Sequence, residues 1–122
     1  MIARTYTCEH LAAHDHVLAV ALLTTAQASS AVLWSHDQQD KPWLPCIIDI
    51  ARTMLARDAE EMRVEYGDRE VMRIFRDGSH ILAVVLFPQE SLRKNLPRMA
   101  REIMKRQRSK ERLHAELGMV AA

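Results

Sequence analysis

Glycine and proline are scarce in this chain. Three Gly and four Pro in 122 residues leave little room for a turn-dense all-β architecture, and three glycines could hardly build a phosphate-binding loop. Two cysteines, Cys8 and Cys46, are too few for a disulfide framework. Long apolar runs are missing too: Val17 to Leu23 is seven residues, far below the roughly 20 that span a bilayer as a helix. The opening Met1-Ile2-Ala3-Arg4-Thr5-Tyr6-Thr7-Cys8-Glu9-His10 lacks a signal-peptide core. Ile2 stands where myristoylation needs a glycine, and Gly118-Met119-Val120-Ala121-Ala122 carries no prenylation box. The expectation is a cytoplasmic protein with no membrane partner. Neither a Gly-x-Ser-x-Gly elbow nor an Asp-x-Asp calcium loop occurs, so we expect no enzyme and no cofactor.

What is present is ordinary globular material. Hydrophobic residues make up 48% and charged residues 27%, which suits one soluble domain with a single core. The net charge of +1 hides an asymmetry. Between Arg93 and Arg112 nine basic residues face only Glu102 and Glu111, a local charge of +7 that leaves −6 for the rest.

Periodicity divides the chain into a lead-in over 1–16, a domain over 17–104 and a basic helical extension over 105–122. The stretch from His10 to His16 reads as a short helical turn or an irregular lead-in. Val17 to Leu23 is apolar on both faces and reads as a buried strand, with a helix as the alternative. A small-polar connection, Thr24 to Ser30, leads into a second, more peripheral strand, Ala31 to Trp34. Ser35 to Pro42 is polar and ends in proline, which suggests a surface loop. From Leu44 to Ala59, Ile47, Ile50, Ala51, Met54 and Leu55 recur at helical spacing, with Pro45 acceptable in the first turn. Met62 to Tyr66 alternates strictly, Gly67-Asp68-Arg69 turns, and Glu70 to Arg76 resumes the pattern. After Asp77-Gly78-Ser79, the apolar run Ile81 to Phe87 predicts a strand covered on both faces. A last helix carries the stripe Leu96, Met99, Ala100, Ile103 and Met104, capped by Ser91 or Asn95, with Pro97 in the first turn if Asn95 is the cap. The chain should leave the core near Met104. The fold class is α+β: a five-stranded antiparallel sheet flanked by helices, in the order β-β-α-β-β-β-α with a short or absent first helix.

Three groups of residues bear on chemistry. Cys8, His10, His14 and His16 place four metal-ligand types within nine residues, but their spacing matches neither a Cys-x-x-Cys pair nor a His-Glu-x-x-His helix. They read as solvated surface rather than a metal site. Cys46 lies among apolar helix residues and reads as a buried structural thiol rather than a nucleophile. The basic tail, with Arg101, Lys105, Arg106, Arg108, Lys110 and Arg112, can neutralise phosphates or meet an acidic protein. It lacks the interleaved aromatics that stack on bases, so nucleic acid is the secondary reading.

The stretch Met62 to Phe75, through Asp77-Gly78-Ser79 and Ile81 to Leu86, resembles the C-terminal half of the dynein light-chain roadblock family. Ser91-Leu92-Arg93-Lys94-Asn95-Leu96-Pro97-Arg98-Met99-Ala100-Arg101-Glu102-Ile103 is similar to its last helix, and Val17 to Trp34 to its first hairpin. The departures are a shortened first helix and a basic extension after Met104. The resemblance implies a roadblock/profilin-like fold and a non-catalytic homodimer, a regulator or scaffold for a small Ras-like GTPase or a larger assembly. It implies a dimer or partner surface on the exposed side of the Leu44 to Ala59 helix and the strand Met62 to Tyr66, where Arg52, Met54, Arg57, Arg63, Val64 and Glu65 are the candidates.

Overall fold

Two strands without a polar face require cover on both sides, and the architecture follows from that demand. The computed structural model describes residues 6–25, 31–37, 42–67 and 69–121, the last four by their backbone alone. The elements are α1 (Cys8–Ala12), β1 (Val17–Thr24), β2 (Ala31–Asp37), α2 (Leu44–Ala56), β3 (Glu61–Tyr66), β4 (Glu70–Asp77), β5 (His80–Leu86) and α3 (Glu90–Ala121). This is an α+β fold in the order expected from the sequence, with a five-residue first helix. Parts of the Thr24 to Ser30 connection and of the Ser35 to Pro42 loop, together with Asp68, lie outside the described residues.

The sheet order is β2-β1-β5-β4-β3, antiparallel throughout. The first hairpin and the C-terminal meander therefore meet where β1 pairs with β5, and β2 and β3 form opposite edges. β1 and β5 are the most deeply buried strands. On one face, Leu23, Ile81, Ala83 and Val85 pack beneath Ile47, Ala51 and Met54 of α2. On the other, Val20, Leu22, Leu82 and Val84 pack beneath Leu92, Leu96, Ala100, Ile103 and Met104 of α3, with Cys8 and Leu11 of α1 completing the layer.

Local chemistry fixes the element ends. Trp43, the N-cap of α2, offers no side-chain cap of its own. Asp37 at the end of β2 supplies it, its Oδ2 accepting from the amides of Trp43 at 2.6 Å and Leu44 at 3.0 Å, two of the four amides a helix start leaves unpaired. At the other end of α2, Asp58 adopts a left-handed φ of 52°. Ala59 N–H then bonds to the Met54 carbonyl and Asp58 N–H to the Leu55 carbonyl, the paired bonds of a Schellman stop. Gly78, at φ 61°, opens the two-residue turn that joins Asp77 to His80, a backbone geometry glycine adopts without a Cβ clash.

Three sequence expectations are corrected. β2 runs on to Asp37, so Ser35 to Asp37 are strand and not loop, because β1 continues to pair with them down to Ala19. α3 begins at Glu90, and neither Ser91 nor Asn95 is its cap: Asn95 sits inside the helix and donates from its side chain to the Ser91 carbonyl. Pro97 is therefore interior and cannot donate to the Arg93 carbonyl one turn back. Arg73 of β4 fills the gap, its Nη1 donating to that carbonyl at 3.2 Å. Finally, burial ends at Met104 but contact does not. Arg108 pairs with Asp77, and Glu111 bonds to His80, the buried histidine that opens β5.

Candidate functional site

The β3 edge and the exposed side of α2 adjoin. Among the described residues strand β3 pairs only with β4, and its side chains alternate: Met62, Val64 and Tyr66 pack toward α2, whereas Glu61, Arg63 and Glu65 are exposed on the opposite face. Arg76 N–H donates to the Glu60 carbonyl, which sets the alternation of the antiparallel ladder. Even-numbered residues from 60 to 66 thus bond to β4, and the main-chain groups of Glu61, Arg63 and Glu65 point to the free edge. Arg63 and Glu65, two apart on one face, form an exposed ion pair at 2.7 Å.

Helix α2 is tied to this edge by Trp43, whose ring meets Tyr66 edge-on with centroids 5.3 Å apart. Burial raises the Tyr66 phenol above its ordinary pKa, and the nearby Cys46 and Asp49 add to the shift. Those two residues therefore flank the end of β3. Cys46, expected to be buried, is exposed. Arg52 is exposed and lies 3.9 Å from Asp49, while Arg57, the C-cap of α2, is exposed at the other end. Met54 does not belong with them. It is 0% exposed in the core beneath α2, on the buried stripe that its helical spacing with Ile47 and Ala51 defines.

The basic tail is not one free surface. Arg101, Lys105 and Arg108 face an open cleft of about 590 Å³, whose other side carries Asp58, Glu60 and Asp77. Arg108 is paired with Asp77. Arg106 points the other way, donating to the Tyr6 carbonyl at 3.2 Å, and Lys110 lies on that same flank. Arg112 is exposed. Sequence reasoning did not find Asp37, Arg73, His80 or Glu111 as structural partners, because each acts across a long separation that no local pattern records.

The N-terminal Cys and His residues are dispersed. Cys8 is buried against α3, and its thiol is pushed up to about 12 by burial and then by the neighbouring Glu9 charge. His10 N–H is capped by Thr7 Oγ1, and His14 Nδ1 accepts from the His16 amide at 3.1 Å. Among the described residues, no three His, Cys, Asp or Glu side chains group as metal ligands. No described helix is long and apolar enough to cross a membrane.

Together these features define an α+β domain with a centrally buried antiparallel sheet whose two edge strands have no further strand partner among the described residues. Set against known protein families and characterised proteins, the chain matches no family model and no curated sequence.

Proposed function

We propose that this chain is a non-catalytic, roadblock-type interaction module that pairs with a second copy through β3 and α2, and that the pair regulates or scaffolds a small Ras-like GTPase in the cytoplasm. The observation that carries the pairing is the free edge of β3, with three residues whose main-chain groups face outward beside an exposed helix. Such an edge invites strand addition, and a two-fold contact uses the β3 edge of both copies at once. The sheet order and the single helix crossing between the two edges support the family resemblance; the GTPase comes from that resemblance alone.

Charge selects the register. If two β3 strands run antiparallel about Val64, each Arg63 faces Glu65 of the other copy, and both residues are among those whose main-chain groups point outward. Centring on Arg63 instead would set Arg63 against itself and Glu61 against Glu65, and like charges directly opposite are destabilising. The favoured register exchanges the exposed Arg63–Glu65 pair within each of the two strands for two such pairs across the interface.

The test is solution mass by light scattering. The full chain should give about twice 14.0 kDa. Arg63→Pro removes an outward N–H and leaves the β4 ladder intact, so it should give a folded monomer, and Arg63→Glu combined with Glu65→Arg should keep the dimer. A monomeric full chain, or a dimer that survives Arg63→Pro, refutes the pairing. The GTPase arm is separate: unaltered GDP release and GTP hydrolysis on every small Ras-like GTPase of the source organism would remove that assignment and leave the dimer standing.

A nucleic-acid role for α3 has less support. Arg108 is already paired with Asp77, and from Pro88 onward the sequence holds no Phe, Trp or Tyr to stack on a base.

A further inference from the structure

The opposite edge of the sheet has its own character. Among the described residues strand β2 pairs only with β1, and it is the most exposed strand, with Val32 at 41% and Leu33 at 39% exposure. Among the described residues the other two large apolar side chains this exposed, Leu113 and Leu117, are on the α3 tail. Register across the first hairpin slips at Leu22 and Leu23, which pair with Trp34 and Val32 and leave Leu33 as the extra residue of a bulge. Leu33 and Trp34 thereby come to line a groove of about 250 Å³ between β2 and α3, floored by Leu22 and Ile103.

The groove has an apolar floor and a basic flank. Arg106 and Lys110 project from α3 along it, against Glu9 as the one lining carboxylate among the described residues. Arg98 extends the flank, its guanidinium 5.6 Å over the Tyr6 ring. Among the described residues Lys110 has no ionic partner. Main-chain geometry is equally defined. Thr25 N–H donates to the Ser79 carbonyl, so odd-numbered residues of β1 bond to β5 and even-numbered ones to β2. Trp34 and His36 face Leu22 and Val20 in this ladder, and Ser35 between them directs its N–H and C=O to the open edge.

We propose that the free edge of β2 and the groove beside it receive an extended acidic segment of a partner protein, which adds as a further strand. Its main chain pairs with Ser35, and on the face toward α3, where every second side chain of the added strand falls, an apolar residue lies against Leu33 and Trp34 and the next carboxylate on that face meets Lys110 and Arg106. Main-chain bonds supply affinity in this mode, and pockets for alternate side chains supply specificity. The surface lies at the far edge from β3, so the inference does not depend on self-pairing.

The test uses the full chain and a fluorescein-labelled peptide of roughly eight residues, the length of one strand, in which every second position alternates Val with Glu so that both share one face and the positions between are Thr, read by fluorescence anisotropy. Binding with a Kd of roughly tens of micromolar is expected. N-methylation of alternate peptide amides, which spares every side chain, should weaken binding at least about tenfold. Ser35→Pro should do the same. Lys110→Glu, at an exposed helix position that folding tolerates, should cost about tenfold and recover when Lys replaces the peptide's acids. Arg63→Pro should leave binding unchanged, which separates this surface from the β3 edge. No binding at roughly 1 mM peptide, equal binding of the N-methylated peptide, or displacement by a single-stranded oligonucleotide of the same charge at equal concentration would each overturn the proposal.

Discussion

Replacing Arg73 tests how this fold tolerates a proline inside its longest helix. Pro97 lacks the N–H that would meet the Arg93 carbonyl, and its ring crowds that same carbonyl. Arg73 reaches from β4 to donate to it at 3.2 Å, with its side chain only 13% exposed. The same guanidinium lies 5.0 Å over the Phe75 ring and pairs with Glu61. Arg73→Met keeps most of the apolar stem and removes all three interactions. Losing the bond to the carbonyl of exposed Arg93 costs about 0.5–1.5 kcal/mol, the ring contact about 0.5–1 kcal/mol, and the half-exposed ion pair under about 1 kcal/mol. These do not simply add, and a loss of about 2 kcal/mol is expected. That is a large part of the roughly 10 kcal/mol a chain this size holds. The decisive measurement repeats the substitution with Pro97→Ala, whose new N–H can bond to the Arg93 carbonyl from within the helix. Urea unfolding at one fixed protein concentration then gives four free energies. The cost of Arg73→Met should fall by about 1 kcal/mol in the alanine background. Equal costs in both backgrounds, within about 0.5 kcal/mol, would refute the claim that Arg73 compensates for the proline.

Three further outcomes follow from burial. Met54→Asp places a carboxylate at a fully buried position and should unfold the chain, at a cost of several kcal/mol, so circular dichroism should show lost helix where a surface role would leave a folded monomer. Truncation after Gln107 removes Arg108 and Glu111 and leaves both ring nitrogens of buried His80 without a partner, since its Nδ1 has none already; a cost of about 1–3 kcal/mol should lower Tm by roughly 5–10 °C, and an unchanged Tm would show that the tail does not support the sheet. Ellman's reagent should titrate exposed Cys46 in the native protein and reach Cys8 only on unfolding. Because the Cys8 thiol is pushed up from 9.0 to about 12, the unfolded chain loses its proton first, so stability from this group is complete below pH 9 and declines above it; prompt reaction of two thiols at pH 8 would contradict its burial.

The order of elements was legible wherever burial imposes a period. Ile81 to Leu86 has no polar face because it is the central strand beneath both helical layers, and Met62 to Tyr66 alternates because one face packs on α2 while the other meets solvent. Spacing alone also placed Met54 on the buried stripe of α2, and the resemblance was a poor reason to move it to a surface. Where no face is deeply buried, the signal vanishes. Ser35 to Asp37 belong to an edge strand exposed on both sides, so their composition matches a loop, and only the length of β1 decides otherwise. Pro97 misled for a different reason. Helix rules put proline in a first turn because they count the bonds a helix makes with itself. The bond that rescues this proline comes from β4, 20 residues before the Arg93 carbonyl it serves, just as Asp37 caps α2 from β2 and Glu111 serves His80 from 31 residues away. Local pattern reports which face is dry, whereas partners for stranded polar groups are chosen after the layers have assembled. The same limit governs the candidate surfaces. The charge alternation of β3 can be read from the sequence, but the β2 groove exists only because a bulge brings Leu33 alongside a helix that starts more than fifty residues later.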